Sequence, residues 1–226
     1  MTTQRNRSTP RAEETRKRIY DSALQLFRDK GFEQTTMRDI AGLAGVALGA
    51  AYYYFSSKEA IVLAYYDELQ QGSDQAILQA VAGRKKLHDR LLCVMETRLE
   101  DLKPNRAFCD ALVRHAFDRK DPLSPFSVET ETIRNGAIEQ LRVAAEGSDV
   151  KIPSDLKPHL PYLLWLYQMS LILFWLYDHS PGQRRTRLLM EKSLGLLVNL
   201  VRLSALPLMR PLRKTVLEIV ELASAS

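Results

Sequence analysis

The chain has 226 residues, 46% hydrophobic and 26% charged, an ordinary globular balance that excludes a disordered or collagen-like protein. Ten glycines with few turn clusters argue against an all-β fold, and two cysteines without C-x-x-C spacing, Cys93 and Cys109, exclude a disulfide framework. The net charge of +5 favours an anionic partner only weakly, but its distribution says more.

Residues 1–18 carry Arg5, Arg7, Arg11, Arg16, Lys17 and Arg18 against Glu13 and Glu14, a surplus of four. Such a basic arm suits phosphate contact. The first ten residues are polar and have no signal-peptide core, so a cytoplasmic location is expected. A helix over 11–30 follows from Ile19, Ala23, Leu26 and Phe27 at three-and-four spacing, with Gly31 as its stop. Thr36 followed by Asp39 reads as a capping box opening a short helix. Ile40 and Ala44 give that helix an inward face, and Gly45 suits its left-handed end. Val46 plugs the turn into a second short helix over 47–54. Ser56 and Glu59 read as another capping box, starting a helix that breaks at Gln71-Gly72-Ser73.

Further helices are expected over 74–81, 87–102, 105–119, 124–145, 160–178, 184–206 and 212–222, separated mainly by prolines and glycines. The class is all-α. Residues 160–177 are the most apolar stretch, at the lower edge of a membrane span. Pro161, Gln168, Ser170 and three tyrosines interrupt it, so a fully buried bundle helix explains it better. Residues 184–206 turn from basic to broadly apolar, more so than one core contact needs. Gly195 inside them suggests close approach of another helix backbone, the alternative being a tolerated surface glycine.

Residues 36–54 read as a helix-turn-helix, two short helices at a sharp angle whose second can enter a DNA major groove. The residues Thr36, Ile40, Ala41, Ala44, Gly45, Val46, Gly49, Tyr52, Tyr54, Phe55, Ser57, Lys58 and Glu59 resemble the DNA-binding domain of the TetR family of bacterial transcriptional regulators. The motif covers the first quarter of the chain. Ala47 and Ala50 depart from the family's hydroxyl-bearing residues, and each removes a possible phosphate hydrogen bond. The resemblance implies an N-terminal three-helix DNA-binding head, residues 1–59, and a larger C-terminal helical body for ligand binding and dimerisation, residues 60–226. It also implies a homodimer on a pseudo-palindromic operator, usually as a repressor. A small molecule in the body would change the spacing of the two heads. The helices over 160–178 and 184–206 would form a four-helix dimer bundle with their partners.

The candidate DNA contacts are Thr36, Arg38, Ala47, Leu48, Gly49, Tyr52, Tyr53 and Lys58. Gly49 permits close backbone approach, Leu48 suits a thymine methyl, and the tyrosines offer hydroxyls to phosphates. By resemblance, Arg38 reaches a base edge or phosphate, and Lys58 holds a phosphate beside the amides of its helix start. Ala51 and Phe55 read as core, and Tyr54 as core or contact. Trp165, Gln168, Ile172 and Trp175, spaced three, four and three apart, form one stripe suited to a mostly apolar small-molecule effector. Plain core packing or dimer contact is the alternative. No catalytic constellation, metal-ligand spacing or cofactor motif is present in the sequence. The expected function is a ligand-responsive regulator. The rivals are a constitutive DNA-binding regulator, a helical enzyme or lipid-binding protein, and a membrane-anchored regulator.

Overall fold

The computed structural model describes residues 10–224, so Arg5 and Arg7 of the basic arm lie outside the described residues. Among these residues all regular structure is helical: α1 (Pro10–Asp29), α2 (Met37–Ala44), α3 (Leu48–Tyr54), α4 (Lys58–Ala82), α5 (Leu87–Leu102), α6 (Arg106–Leu112), α7 (Glu131–Glu146), α8 (Leu160–Tyr177), α9 (Arg184–Ser204) and α10 (Arg210–Ser224). They divide into two compact units. One is the chain up to Asp67 together with Asn105–Thr130, and the other is Glu68–Pro104 with the chain from Glu131 onward.

In the first unit, Ile19, Ala23 and Phe27 form the buried face of α1. Phe27 stacks on Phe108 of α6 at 5.1 Å and meets Phe32 edge-on at 5.2 Å, while Tyr65 closes the cluster against Phe108 at 5.6 Å. Such geometry adds to the burial energy of the rings. Arg28 Nη1 donates to Asn105 Oδ1 at 2.9 Å. His115 sits between Asp121, 2.5 Å from Nδ1, and Glu33, 3.2 Å from Nε2. Residues 105–119 are therefore not one helix: α6 ends at Leu112 and a 3₁₀ segment, Val113–Phe117, follows. The helix expected from residue 124 starts only at Glu131. Thr130 Oγ1 donates to the Ser124 carbonyl at 2.7 Å, and Ser127 Oγ donates to that of Pro122 at 3.1 Å. Hydroxyls bonding nearby backbone in this way compete with helix formation.

In the second unit, α5 packs on α7 and α9, and α7 packs on α8. The break expected at Gln71-Gly72-Ser73 is absent, and α4 is continuous through it. The neighbouring polar residues anchor the helix instead of ending it. Gln70 accepts from Arg98 Nη2 at 2.7 Å, Gln140 accepts from the same nitrogen at 3.0 Å, and both glutamines donate to Asp74. The Ser73 hydroxyl is shared between the carbonyl of Leu69 and the carboxylate of Asp101. This network joins α4, α5 and α7, outweighing the ~1 kcal/mol helix penalty of one glycine. Burial lowers the Arg98 pKa from its ordinary value, opposed by the carboxylates of Asp101 and Asp74.

One turn pair earlier on α5, Arg90 is also buried, but it faces only carbonyls. Nε donates to Ala144 and Nη2 to Val143 at the end of α7, while Nη1 donates to Val81 at the end of α4 and to Arg84 just after it. A helix's last carbonyls have no partner within the helix, so one guanidinium caps two helices at once.

The α8 helix is long and apolar enough to span a membrane by length and composition, with 44% of that window buried inside the protein. The expectation of a fully buried helix is not met. Leu160, Leu164, Trp165, Gln168, Leu171 and Trp175 face inward, whereas Ser170, Phe174 and Tyr177 are exposed on the far side. Asp178 fixes the turn into α9 by accepting from Ser180 N at 2.9 Å, Thr186 N at 2.9 Å and Thr186 Oγ1 at 2.8 Å. Burial pushes its carboxyl up, but these hydrogen bonds outweigh burial and hold it well below the usual range.

Candidate functional site

The turn at residues 36–47 is built by local chemistry. Thr36 has extended backbone, and its Oγ1 accepts from Asp39 N at 3.2 Å. Asp39 Oδ2 accepts from Thr36 N at 2.9 Å, from Thr36 Oγ1 at 2.7 Å and from Lys30 Nζ at 2.9 Å. The bonds from Lys30 and Thr36 hold the Asp39 carboxyl at about 2, well below its ordinary value. At the other end Gly45 takes φ 65° and donates to Ala41 and Gly42, and Val46 N reaches the Ala41 carbonyl at 3.0 Å. A β-carbon resists that left-handed conformation, so glycine fits it best.

Ala47 precedes α3 with extended backbone and gives it no side-chain cap, the local consequence of the missing hydroxyl. Ala51 and Phe55 are buried, so α3 lies on the head by one face. Arg16 of α1 stands 4.7 Å over the Phe55 ring. Gly49, Tyr52 and Tyr53 share the opposite face by helical spacing. Tyr52 is 50% and Tyr53 83% exposed, and the space beside Gly49 is open. Arg38, Thr36 and Ala47 are exposed, while Leu48 and Tyr54 are half-buried. The Thr36 hydroxyl is committed to the α2 cap.

Lys58 has a further role. Its Nζ donates to the Phe32 carbonyl at 3.0 Å and lies 4.2 Å from that ring's centroid. It ties the start of α4 to the α1–α2 connection, leaving two of three ammonium protons for other partners. The cap of α4 is Ser57, whose Oγ accepts from Ala60 N at 3.2 Å. The capping box expected of Ser56 and Glu59 is thus displaced by one residue, and Ala60 has no carboxyl to return the bond.

In the second unit Trp165, Gln168 and Trp175 are buried and Ile172 is half-buried. Trp165 stacks on Tyr162 at 5.7 Å, and Tyr167 Oη lies 2.7 Å from Ser193 Oγ, joining α8 to α9. No group of three His, Cys, Asp or Glu side chains among the described residues can hold a metal ion. The two buried arginines escaped the sequence reading. Their signal was Arg90, Val94, Arg98 and Leu102 at four-residue spacing on the apolar stripe of α5.

The family pattern described as bacterial regulatory proteins, tetR family, matches residues 19–65, and that described as tetracyclin repressor-like, C-terminal domain, matches residues 90–219, more than half of the chain. The chain belongs to the TetR family. This TetR-family regulator is 41% identical over 68 residues to the HTH-type transcriptional regulator TtgR of Pseudomonas putida, covering 30% of this chain and 32% of that one. Over 57 residues it is 42% identical to the HTH-type transcriptional repressor KstR2 of Rhodococcus jostii, covering 25% and 26%. The matched stretches thus span about a third or less of these relatives' own length. Its fold resembles that of the transcriptional regulator FadR from Bacillus subtilis in complex with stearoyl-CoA, with TM-score 0.61 and 17% identity over 80% of this chain and 97% of that one. Its named relatives are transcriptional regulators, not enzymes.

Proposed function

We propose that this TetR-family regulator binds a pseudo-palindromic DNA operator as a cytoplasmic homodimer, represses transcription there, and is released by a small, mostly apolar molecule. The observation that carries the DNA reading is the exposed face of Gly49, Tyr52 and Tyr53 beside a turn capped at both ends, with Arg38 exposed on α2. Residues 1–59 act as the DNA-binding head and residues 60–226 as the ligand-binding and dimerisation body. Thr36 and Lys58 set the head's shape, and Arg38, Ala47, Leu48, Gly49, Tyr52 and Tyr53 meet the DNA. Selection of bound fragments from a random pool tests the reading: an inverted repeat should emerge, with affinity falling steeply with salt, about −0.9 in log–log slope per neutralised phosphate. Arg38→Ala and Tyr53→Phe should weaken binding without unfolding the chain. Failure to enrich any sequence rejects the reading.

Support for the dimer comes from the outward faces of α8 and α9. Phe174 and Tyr177 on α8 and Leu196, Leu200 and Leu203 on α9 are exposed. The space beside Gly195 is open, so the close helix approach expected there is not made within this protomer. Leu200→Glu should yield a monomer that no longer holds the operator. For the effector, Trp165, Gln168, Ile172 and Trp175 supply an apolar wall with one amide, and a buried amide requires a partner. Quenching of tryptophan fluorescence by candidate apolar molecules, lost in Gln168→Leu, tests it. A constitutive regulator would show no such response.

A further inference from the structure

The buried polar side chains of the second unit hold one another or the backbone, with one exception. Arg90 donates to four carbonyls, and Arg98 donates to Gln70 Oε1 at 2.7 Å and Gln140 Oε1 at 3.0 Å. Both glutamines donate to Asp74, and the Ser73 hydroxyl bonds the Leu69 carbonyl. Asp178 accepts from Ser180 N, Thr186 N and Thr186 Oγ1. Gln168 is the exception. It is 2% exposed, and its amide has no hydrogen bond among the described residues. The little surface it keeps includes that amide, which therefore faces a space that a water-sized group can enter. By helical spacing Gln168 stands at the centre of the buried face of α8, with Leu164 and Leu171 to one side and Trp165 and Ile172 to the other. The rise of the helix puts it about 12 Å from either end of α8. A lone amide in such a place opposes folding of the free protein. Packing alone would be served better by leucine or methionine.

We propose that Gln168 selects the effector by its polar group: an uncharged group that both donates and accepts a hydrogen bond, an amide first and a hydroxyl second, on an otherwise apolar molecule. The proposal rests on the effector reading and adds the chemistry that the effector must present. A glutamine amide offers one accepting oxygen and two donating N–H bonds. A ligand amide answers both with a pair of parallel hydrogen bonds, and a hydroxyl answers with one proton and its lone pairs. A carboxylate only accepts, and an ammonium only donates. Either would also bring a charge into a unit whose buried charged groups, Arg90, Arg98 and Asp178, already hold partners. A buried charge without a partner is strongly disfavoured. Along the helix Trp165 lies about 4.5 Å from Gln168 in one direction and Trp175 about 10 Å in the other. The apolar body of the ligand runs along these indoles while its polar group meets the amide.

A matched set of probes on one alkyl chain tests it: octanamide, 1-octanol, octanoate and octylamine, added to the full chain at neutral pH and read by tryptophan emission. Octanamide and 1-octanol should bind at least about tenfold more tightly than octanoate and octylamine. Gln168→Met should bind octanamide about tenfold more weakly than the unaltered protein does. With no probe present, the same variant should unfold at a higher urea concentration, because it removes a buried amide that lacks a partner. Gln168→Glu should turn the preference toward octylamine, whose charge then finds a carboxylate. Tighter binding of octanoate or octylamine by the unaltered protein overturns the proposal, and so does binding of none of the set. It is also overturned if Gln168→Met unfolds at lower urea, which would mean that the amide has a structural partner, or if that variant holds octanamide as tightly as before. Release from operator DNA separates this proposal from the reading beneath it. A compound that frees the unaltered protein and Gln168→Met alike leaves the effector reading standing and removes the role of the amide. Release by no compound, with no probe bound, removes both.

Discussion

The head and the body solve one problem in opposite ways. Every helix leaves unpaired amides at its start and unpaired carbonyls at its end. In the head, α2 is closed by residues within a few positions of its own termini: Thr36 and Asp39 at the start, Gly45 and Val46 at the end. In the body, the ends of α4 and α7 are closed by Arg90, which lies 9 residues from Val81 and 54 from Ala144. A local cap forms as soon as the helix does. A cap supplied by a third helix forms only once the unit has folded, and it makes two helix ends depend on one side chain.

That difference predicts a graded set of effects. Arg90→Met should be the most damaging change, losing about 3 kcal/mol in urea unfolding, because it takes the guanidinium from the Ala144 and Arg84 carbonyls and leaves those of Val81 and Val143 with only the backbone amides of Arg84 and Gly147. A loss below about 1 kcal/mol would mean that water replaces the guanidinium. Gly147→Ala comes next, at about 2 kcal/mol, because an added β-carbon would overlap Arg90 Nη2, and Arg90 is pinned by four carbonyls. In the Arg90→Met background the same change should cost little, and additive losses would contradict the coupling. Thr36→Val should cost about 1 kcal/mol, the ordinary worth of a local cap, and should leave the body's protection from hydrogen exchange unchanged. Smallest is a titration. Asp39 is depressed to about 2, so its contribution is present above its ordinary 3.8 and is lost as pH falls through 2. The Asp39 carboxyl carbon followed by NMR should titrate near pH 2, and Lys30→Met should move that midpoint up.

The same contrast explains what could be read from the sequence. The Thr36 box, the Gly45 turn and the bounds of α8 and α9 rest on neighbours a few residues away, and the residue order displays them. The continuity of α4 through Gly72 does not, because it depends on Arg98 and Gln140 reaching across from α5 and α7. Ser124, Ser127 and Thr130 read as the start of a helix because their hydroxyl bonds to the backbone leave no periodic trace. Of the candidate contacts on α3, Gly49, Tyr52 and Tyr53 are exposed and Leu48 is half-buried, whereas Thr36 and Lys58 have structural bonds that spacing alone did not reveal. The exposed far side of α8 shows why apolar composition cannot separate core from exposed surface.

The aromatic cluster of the first unit has a consequence for synthesis. Phe27, Phe32 and Tyr65 precede their partner Phe108 by more than forty residues, and the Arg28–Asn105 and Glu33–His115 contacts span 77 and 82 positions. As the chain leaves the ribosome, α1 to α3 emerge early but lack one wall of their core until α6 follows. Long-range closures of this kind slow folding. The first unit is therefore completed only after Glu68–Pro104 of the second unit has been translated.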